Sequence, residues 1–445
     1  MTTSRLLTSG FLIAVAATSL HAANVWHVSP QGDDAHPGSL EKPFATVARA
    51  QEAASPGDTV FFHGGVYKMT GDQIAQKKGI FARVISLTKS GEPGRPITYR
   101  AYGDERPVFD FSAVKPSGLR VSAFYVRASW LRLIGLDITG VQVTVKGRTQ
   151  SICLESQGSF NVFERLSLHD GQAIGVYHVR GANNLFLNCD AWNNWDRTSE
   201  DGAGRNVDGF GCHPTKGSTG NVFRGCRAWF NSDDGFDTIG AREVVTIENC
   251  WAAYNGYSPD FKPLADGNGF KVGGYGTEPA DRVPRPAPRH VVRFCVAVKN
   301  KANGFYANHH PGGCDWINNT AYRNGTEFNM LGRTVDTGKD VDGYGHTLLN
   351  NLSFGSRNAA RREPVAVDLN ACRVEGNLFS PAGDLSKEDF VNLNQDELFT
   401  PRDSDGSLPA IDFLRPAEGS KLIDAGVATG LPYRGKRPDV GAFER

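Results

Sequence analysis

Four stretches of this 445-residue chain repeat one pattern: Phe186-Leu-Asn-Cys-Asp-Ala-Trp-Asn-Asn194, Phe223-Arg-Gly-Cys-Arg-Ala-Trp-Phe-Asn231, Ile247-Glu-Asn-Cys-Trp-Ala-Ala-Tyr-Asn255 and Val292-Arg-Phe-Cys-Val-Ala-Val-Lys-Asn300. Weaker copies are Val162-Phe-Glu-Arg-Leu-Ser-Leu-His-Asp170, Trp316-Ile-Asn-Asn-Thr-Ala-Tyr-Arg-Asn324 and Leu348-Leu-Asn-Asn-Leu-Ser-Phe-Gly-Ser356. The fourth position of each unit falls at 165, 189, 226, 250, 295, 319 and 351, in steps of 24, 37, 24, 45, 24 and 32. A turn of 24 residues therefore recurs, and the longer steps are that turn plus insertions. Each unit reads as a short alternating strand ending in a polar bend. Short strands at a fixed period, with no crossover helices between them, predict a coil of parallel strands.

In such a coil equivalent residues stack one rung apart, about 4.8 Å. The Asn that recurs five residues after each Cys then becomes a ladder of side-chain amides bonding along the axis. The Cys and Ala series face the core. Cys189, Cys226, Cys250 and Cys295 are expected as a buried stack of free thiols, because an unpaired buried Cys behaves as a small hydrophobe.

The remaining sequence fits one all-β domain. Gly 51 against Met 3 indicates many turns and little helix. Residues 43 to 54 have helical composition between Pro43 and Pro56-Gly57 and predict a capping helix within an N-terminal cap of about 24 to 70. Thr59 to Tyr67 and Ile97 to Tyr102 read as early strands. From about residue 381 to 445 the pattern fades into a Gly-, Pro- and Asp-rich tail expected to cover the far end. No linker divides the chain, and a monomer is expected.

Lys+Arg and Asp+Glu balance at 48 each, so no global field draws nucleic acid or an anionic membrane. Residues 1 to 23 read as an export signal, with Arg5 ahead of an apolar run from Phe11 to Ala17 and small residues after it. That run is too short to span a bilayer. A secreted or periplasmic location follows, in which the eight Cys would be free to pair. They form no CxxC spacing, which argues against zinc.

A second series follows the Asn bends: Val207-Asp-Gly-Phe-Gly211, Asp233-Asp-Gly-Phe-Asp237, Gly267-Asn-Gly-Phe-Lys271 and Ala302-Asn-Gly-Phe-Tyr306. Aligned on Gly-Phe, Asp208 and Asp234 become rung neighbours, as do Asp237 and Lys271. Asp233 lies one step further out. Three acids in one turn are common without a ligand, but four on adjacent rungs repel strongly unless a cation takes up their charge. Ca²⁺, which favours several hard oxygens, suits Asp208, Asp233, Asp234 and Asp237.

With those motifs the sequence resembles the calcium-dependent pectate lyases of polysaccharide lyase family 9, exported right-handed parallel β-helices. The segments that carry the likeness are Val207-Asp-Gly-Phe, Asn231-Ser-Asp-Asp-Gly-Phe-Asp and Asp266-Gly-Asn-Gly-Phe-Lys-Val-Gly-Gly274. The resemblance implies that Asp208, Asp233, Asp234 and Asp237 hold calcium and that Lys271 is the Brønsted base. It also implies an acidic pectic polysaccharide as substrate, either polygalacturonate or rhamnogalacturonan I, since the family contains lyases of both.

The chemistry agrees with that assignment. β-Elimination must remove the weakly acidic C5 proton of a uronate, and a cation on the adjacent carboxylate stabilises the charge that develops. Lys271 must be neutral to act. Insertions at Gly256 to Asp266 and Gly276 to Arg289 flank it, and Arg282, Arg285 and Arg289 are candidates to grip substrate carboxylates. Arg205, Tyr275, His309 and His310 are further substrate-binding candidates. A β-helix hydrolase would also use clustered aspartates. The single Arg-x-Lys, Arg434-Gly-Lys436, lies far from them in the tail, and the rungs offer a lysine instead. A non-catalytic carbohydrate-binding β-helix is the third class, and it would tolerate loss of Lys271.

Overall fold

The computed structural model describes residues 23–357, 362–379 and 385–445, so the export signal proposed for residues 1 to 23 lies almost wholly outside the described residues. Among these residues the chain winds into a parallel β-helix with three faces. One sheet has twelve strands, from Val25–Val28 to Arg373–Glu375, and the other two have ten each. Within every face, strands pair with those of the coil before and after, in parallel register. The one antiparallel pair in these faces is Gln76–Lys78 against Phe81–Leu87, at the start of the third sheet.

The nine-residue unit is not one strand. It divides into two, for example Leu185–Leu187 on the first sheet and Asp190–Trp192 on the second. The residue at the corner sits in the left-handed region: Asn188 at φ 55°, Gly225 at 66°, Asn249 at 51°, Phe294 at 54°. One such residue turns the chain from one face to the next, and Asn and Gly reach that region at least cost. The earliest copy is shifted by one residue. Phe163 pairs with Phe186, so Leu166, not Arg165, stacks beneath Cys189. A one-residue slip would turn Phe163 out of the core, where it is fully buried, and packing therefore decides the register.

The expected amide ladder is present. Nδ2 of Asn194 donates to Oδ1 of Asn231 at 3.1 Å, Asn231 to Asn255 at 3.1 Å, Asn255 to Asn300 at 3.0 Å and Asn300 to Asn324 at 2.9 Å. Asn324 ends the run on the carboxylate of Glu327 at 2.6 Å. The side chains of Asn255, Asn300 and Asn324 also accept from a backbone N–H of the previous coil, as Asn255 does from Asn231 at 3.2 Å. Inside the coil Phe210, Phe236, Phe270, Phe305 and Phe328 stack with centroids 4.9, 4.9, 5.0 and 4.8 Å apart. All eight cysteines are free, and the four in the repeat are buried on successive rungs.

The capping helix is shorter than expected, Val47–Ala53, with Thr46 accepting from the Arg49 N–H at its start. It buries Val47 and Ala50 against the first coil. The early strand expected at Thr59 to Tyr67 breaks into Thr59–Phe62 and Gly65–Lys68. The tail runs back along the flank of the second sheet: Arg227 donates to the carbonyls of Leu398 and Thr400, and Arg402 pairs with Asp190 at 2.7 Å. No helix among the described residues is long and apolar enough to cross a membrane.

Asn255 is fully buried in mid-ladder with every polar atom engaged. Asn255→Ala strands donors on two coils and should cost about 3 kcal/mol. A denaturation midpoint corresponding to less than about 1 kcal/mol would show that the ladder does not hold the register.

Candidate active site

The Asp-Gly-Phe series builds the site because of what each position must do in the coil. Phe points inward and stacks. The Gly before it lies against the amide ladder: a Cβ on Gly235 would sit 2.7 Å from the Gly269 carbonyl and 2.8 Å from Nδ2 of Asn255. No other residue fits there. The residue after Phe faces outward, and Gly211, Asp237, Lys271 and Tyr306 pair in one file across four coils of the third sheet.

The residue before Gly forms a ladder of its own. Asn268 donates from Nδ2 to Oδ1 of Asp234 at 2.7 Å and Asn303 to Asn268 at 2.7 Å, and Asn329, from the position after Phe328 on the next coil, caps Asn303 at 3.2 Å. The Asp234 N–H in turn donates to Oδ1 of Asp208 at 3.1 Å. Two rungs of this edge thus carry carboxylates where the following rungs carry amides. Oδ2 of Asp234 lies 3.0 Å from Nζ of Lys271, and Oδ2 of Asp237 lies 3.2 Å from it.

The oxygens of Asp208, Asp234 and Asp237 come within 4.8 Å of one another, a compact set of buried hard donors suited to a divalent cation. Asp233 turns differently from the sequence expectation. Its carboxylate accepts from the N–H groups of Asn206 at 2.6 Å and Asp266 at 2.9 Å. It makes a second set with Asp234 and Asp266. Asp266, not singled out as a ligand in the sequence, therefore joins the cluster. It is the last residue of the insertion from Gly256, and its N–H bonds to Asp233.

Burial and mutual repulsion dominate the electrostatics. Burial raises the pKa of Asp208, with Asp237 and Asp233 adding to it. Burial likewise pushes Asp233 up to about 8, reinforced by Asp234. Asp234 is raised by burial although Lys271 pulls the other way. Burial works against the Lys271 ammonium, but Asp234 and Asp237 outweigh it and hold the amine well above its ordinary range. In this state Lys271 is a protonated counter-ion.

These groups floor a cleft of about 510 Å³. Arg205 lines it, paired with Asp201 at 2.6 Å, as do Arg148, Gln150, Tyr177, His213 and Asp266. The other substrate-binding candidates lie elsewhere. Tyr275 is buried and donates to the Ala241 carbonyl at 2.9 Å. His310 is buried between the Gly274 N–H at 3.1 Å and the Pro288 carbonyl at 3.0 Å. Arg285 pairs with Asp336, Arg289 with Asp315, and His309 with Asp340. Arg285 and Arg289 thus reach later coils, the Arg282 carbonyl accepts from Arg242 of an earlier coil, and none of the three arginines lines this cleft. Tyr177 had a legible signal: Ile174-Gly-Val-Tyr177 is one more copy of the series, pairing Tyr177 with Gly211.

Residues 26–351 match the family model described as Pel9A-like, right-handed β-helix region. The chain belongs to polysaccharide lyase family 9. The coil is right-handed, as the resemblance implied, and this protein is a polysaccharide lyase. Pectate lyase L of Dickeya chrysanthemi is 33% identical over 439 residues, covering 96% of this chain and 92% of that protein. Among solved structures a rhamnogalacturonan lyase is 42% identical at a TM-score of 0.84, covering 89% of this lyase and 97% of that chain. The crystal structure of pectate lyase Pel9A is 31% identical at 0.75, covering 96% and 98%. Membership of a lyase family removes the hydrolase and the non-catalytic binding readings.

An aspartate whose pKa is higher folded than unfolded stabilises the fold below the unfolded value, about 3.9, and loses that stability as pH climbs through the folded one. Chelator-treated lyase should therefore melt at progressively lower temperature from about pH 4 to the value near 8 of Asp233. Calcium should restore the loss, most strongly at the alkaline end. Asp234→Asn keeps the Asn268 acceptor, so it should flatten the chelated profile and weaken calcium binding. A chelated melting temperature constant across that range would contradict the electrostatic account.

Proposed function

We propose that this lyase cleaves the backbone of a pectic polysaccharide by calcium-assisted β-elimination, with rhamnogalacturonan I as the first substrate. The observation that carries the proposal is the contact of Lys271 with Asp234 and Asp237 at the floor of the cleft. Asp208, Asp234 and Asp237 would hold the cation, with Asp233 and Asp266 beside them. Calcium bound there supplies charge stabilisation to the carboxylate next to C5 and takes up the negative charge of its ligands.

Lys271 then does the proton transfer. The two aspartates keep its amine charged, so once their charge is engaged elsewhere, burial favours the neutral base. Its lone pair takes the C5 proton, the C5–H electrons form the C4–C5 double bond, and the C4–O bond breaks. The leaving oxygen takes a proton from water. The likeness to a rhamnogalacturonan lyase at 42% identity favours an alternating galacturonate–rhamnose chain, and the likeness to pectate lyases supports polygalacturonate as the second reading. Export through the N-terminal signal would place the enzyme with either polymer, acting as a monomer.

Incubation with rhamnogalacturonan I and with polygalacturonate, each with calcium or chelator, should release unsaturated uronate from the first polymer in calcium alone. The rate should rise toward alkaline pH, and Lys271→Ala should lower kcat by about 10³-fold. Unsaturated product from neither polymer in calcium would overturn the proposal.

A further inference from the structure

The cleft is acidic at one end and basic at the other. Along the strand-entry edge of the third sheet, Asp233, Asp234 and Asp208 give way past Asn206, on the coil of Asp208, to Arg148 and Arg120 on earlier coils. Arg120 heads the strand Arg120–Val126 and donates from Nε to the Thr149 hydroxyl at 3.2 Å. Arg148, exposed in the loop before Ile152–Ser156, lines the cleft and donates to Oδ1 of Asn206 at 2.9 Å. Among the described residues neither guanidinium meets a carboxylate. Burial lowers the pKa of Arg120 and Arg148 presses it down further, while Tyr177 opposes both. Two cations held within each other's field without a counter-ion are poised for an anion.

Between the two ends the cleft runs over Gly211, which the His213 ring covers. Tyr177, Gly211, Asp237 and Lys271 occupy successive rungs, so Tyr177 lies about 14 Å from Lys271 along the axis. That is longer than one sugar ring. At Gly211 a Cβ would come 2.8 Å from Nε2 of His213 and 3.0 Å from Cδ1 of Ile174. The ring of Tyr177, 5.1 Å from that of His213, walls the gap on its far side.

We propose that Arg148, backed by Arg120, binds the carboxylate of a second uronic acid in the same substrate chain, with an intervening sugar lying over His213 beside Tyr177. This rests on the β-elimination reading and sharpens it by giving the same cleft a second carboxylate subsite. Arg148 supplies a forked pair of donors that matches a carboxylate, and the cleft beside it leaves that face accessible.

Binding to the Lys271→Ala protein in calcium tests the subsite without requiring turnover. Calorimetry with rhamnogalacturonan I oligosaccharides of increasing length should show affinity rising when the second uronate is added. Arg148→Ala in that background should lose about tenfold on the longer oligosaccharides and nothing on the shortest, and Arg148→Lys should recover part of the loss. In the otherwise wild-type enzyme, Arg148→Ala should raise KM on the polymer and leave kcat within about twofold. Equal loss on all lengths, no loss on any, or weakened calcium binding through Asn206 and Asp233 would each overturn the subsite. Failure of the wild-type enzyme to form unsaturated product would instead strike the β-elimination reading, leaving the binding result to stand or fall on its own.

Discussion

Hydrogen bonding from one coil to the next at a spacing near 4.8 Å constrains everything else in this molecule. Backbone pairing alone would allow a coil to slip, and a slip of one residue would exchange core and surface. The side-chain ladder from Asn194 to Asn324 prevents this, since each buried amide has partners on the coils at both sides. An unmatched amide would be left unsatisfied in a dry interior, which is costly. The ladder also dictates the glycines of the Asp-Gly-Phe series, whose missing side chains make room for it.

The catalytic centre is a local edit of this scaffold. The edge position that carries Asn268 and Asn303 on later coils carries Asp208 and Asp234 on earlier ones. Exchanging an amide for a carboxylate preserves the acceptor that the ladder needs and adds a negative charge that it does not. Buried charge of one sign is unfavourable, and the structure relieves it through Lys271. The same contact that offsets the acidic cluster keeps the Lys271 amine protonated, so in the proposed reaction occupation of the carboxylates and activation of the lysine would be one event. Arg148 lines the same cleft, which therefore carries a cationic group apart from the Lys271 contacts.

Much of this was legible in the residues. Repeats of Asn and Cys at a 24-residue turn disclosed the coil, and alignment on Gly-Phe put Asp237 beside Lys271, as their pairing confirms. The misreadings have a common origin. Arg165 was aligned where Leu166 stacks, because the earliest copy lacks Cys and its register depends on burying Phe163. Tyr275 and His310 have residue types common in binding sites, yet both are buried with backbone partners. Asp266 ends an insertion and Arg148 lies in the loop before Ile152–Ser156, segments that carry no periodic signal.

Sequence by itself determined which residues share a rung, because a repeating strand with alternating faces leaves one alignment that keeps Phe inside and Gly beside the amide ladder. That was enough to name the β-helix, the four aspartates that gather around Lys271, and the lysine itself, though not Asp266. Tertiary structure decided where the insertions fold. It turned Asp233 toward Asp266, carried Arg282, Arg285 and Arg289 away from the cleft, and brought Arg148 to its rim. Insertions are free of the rung-to-rung constraint, so their side chains settle by packing and charge among segments distant in the chain, which no local pattern encodes.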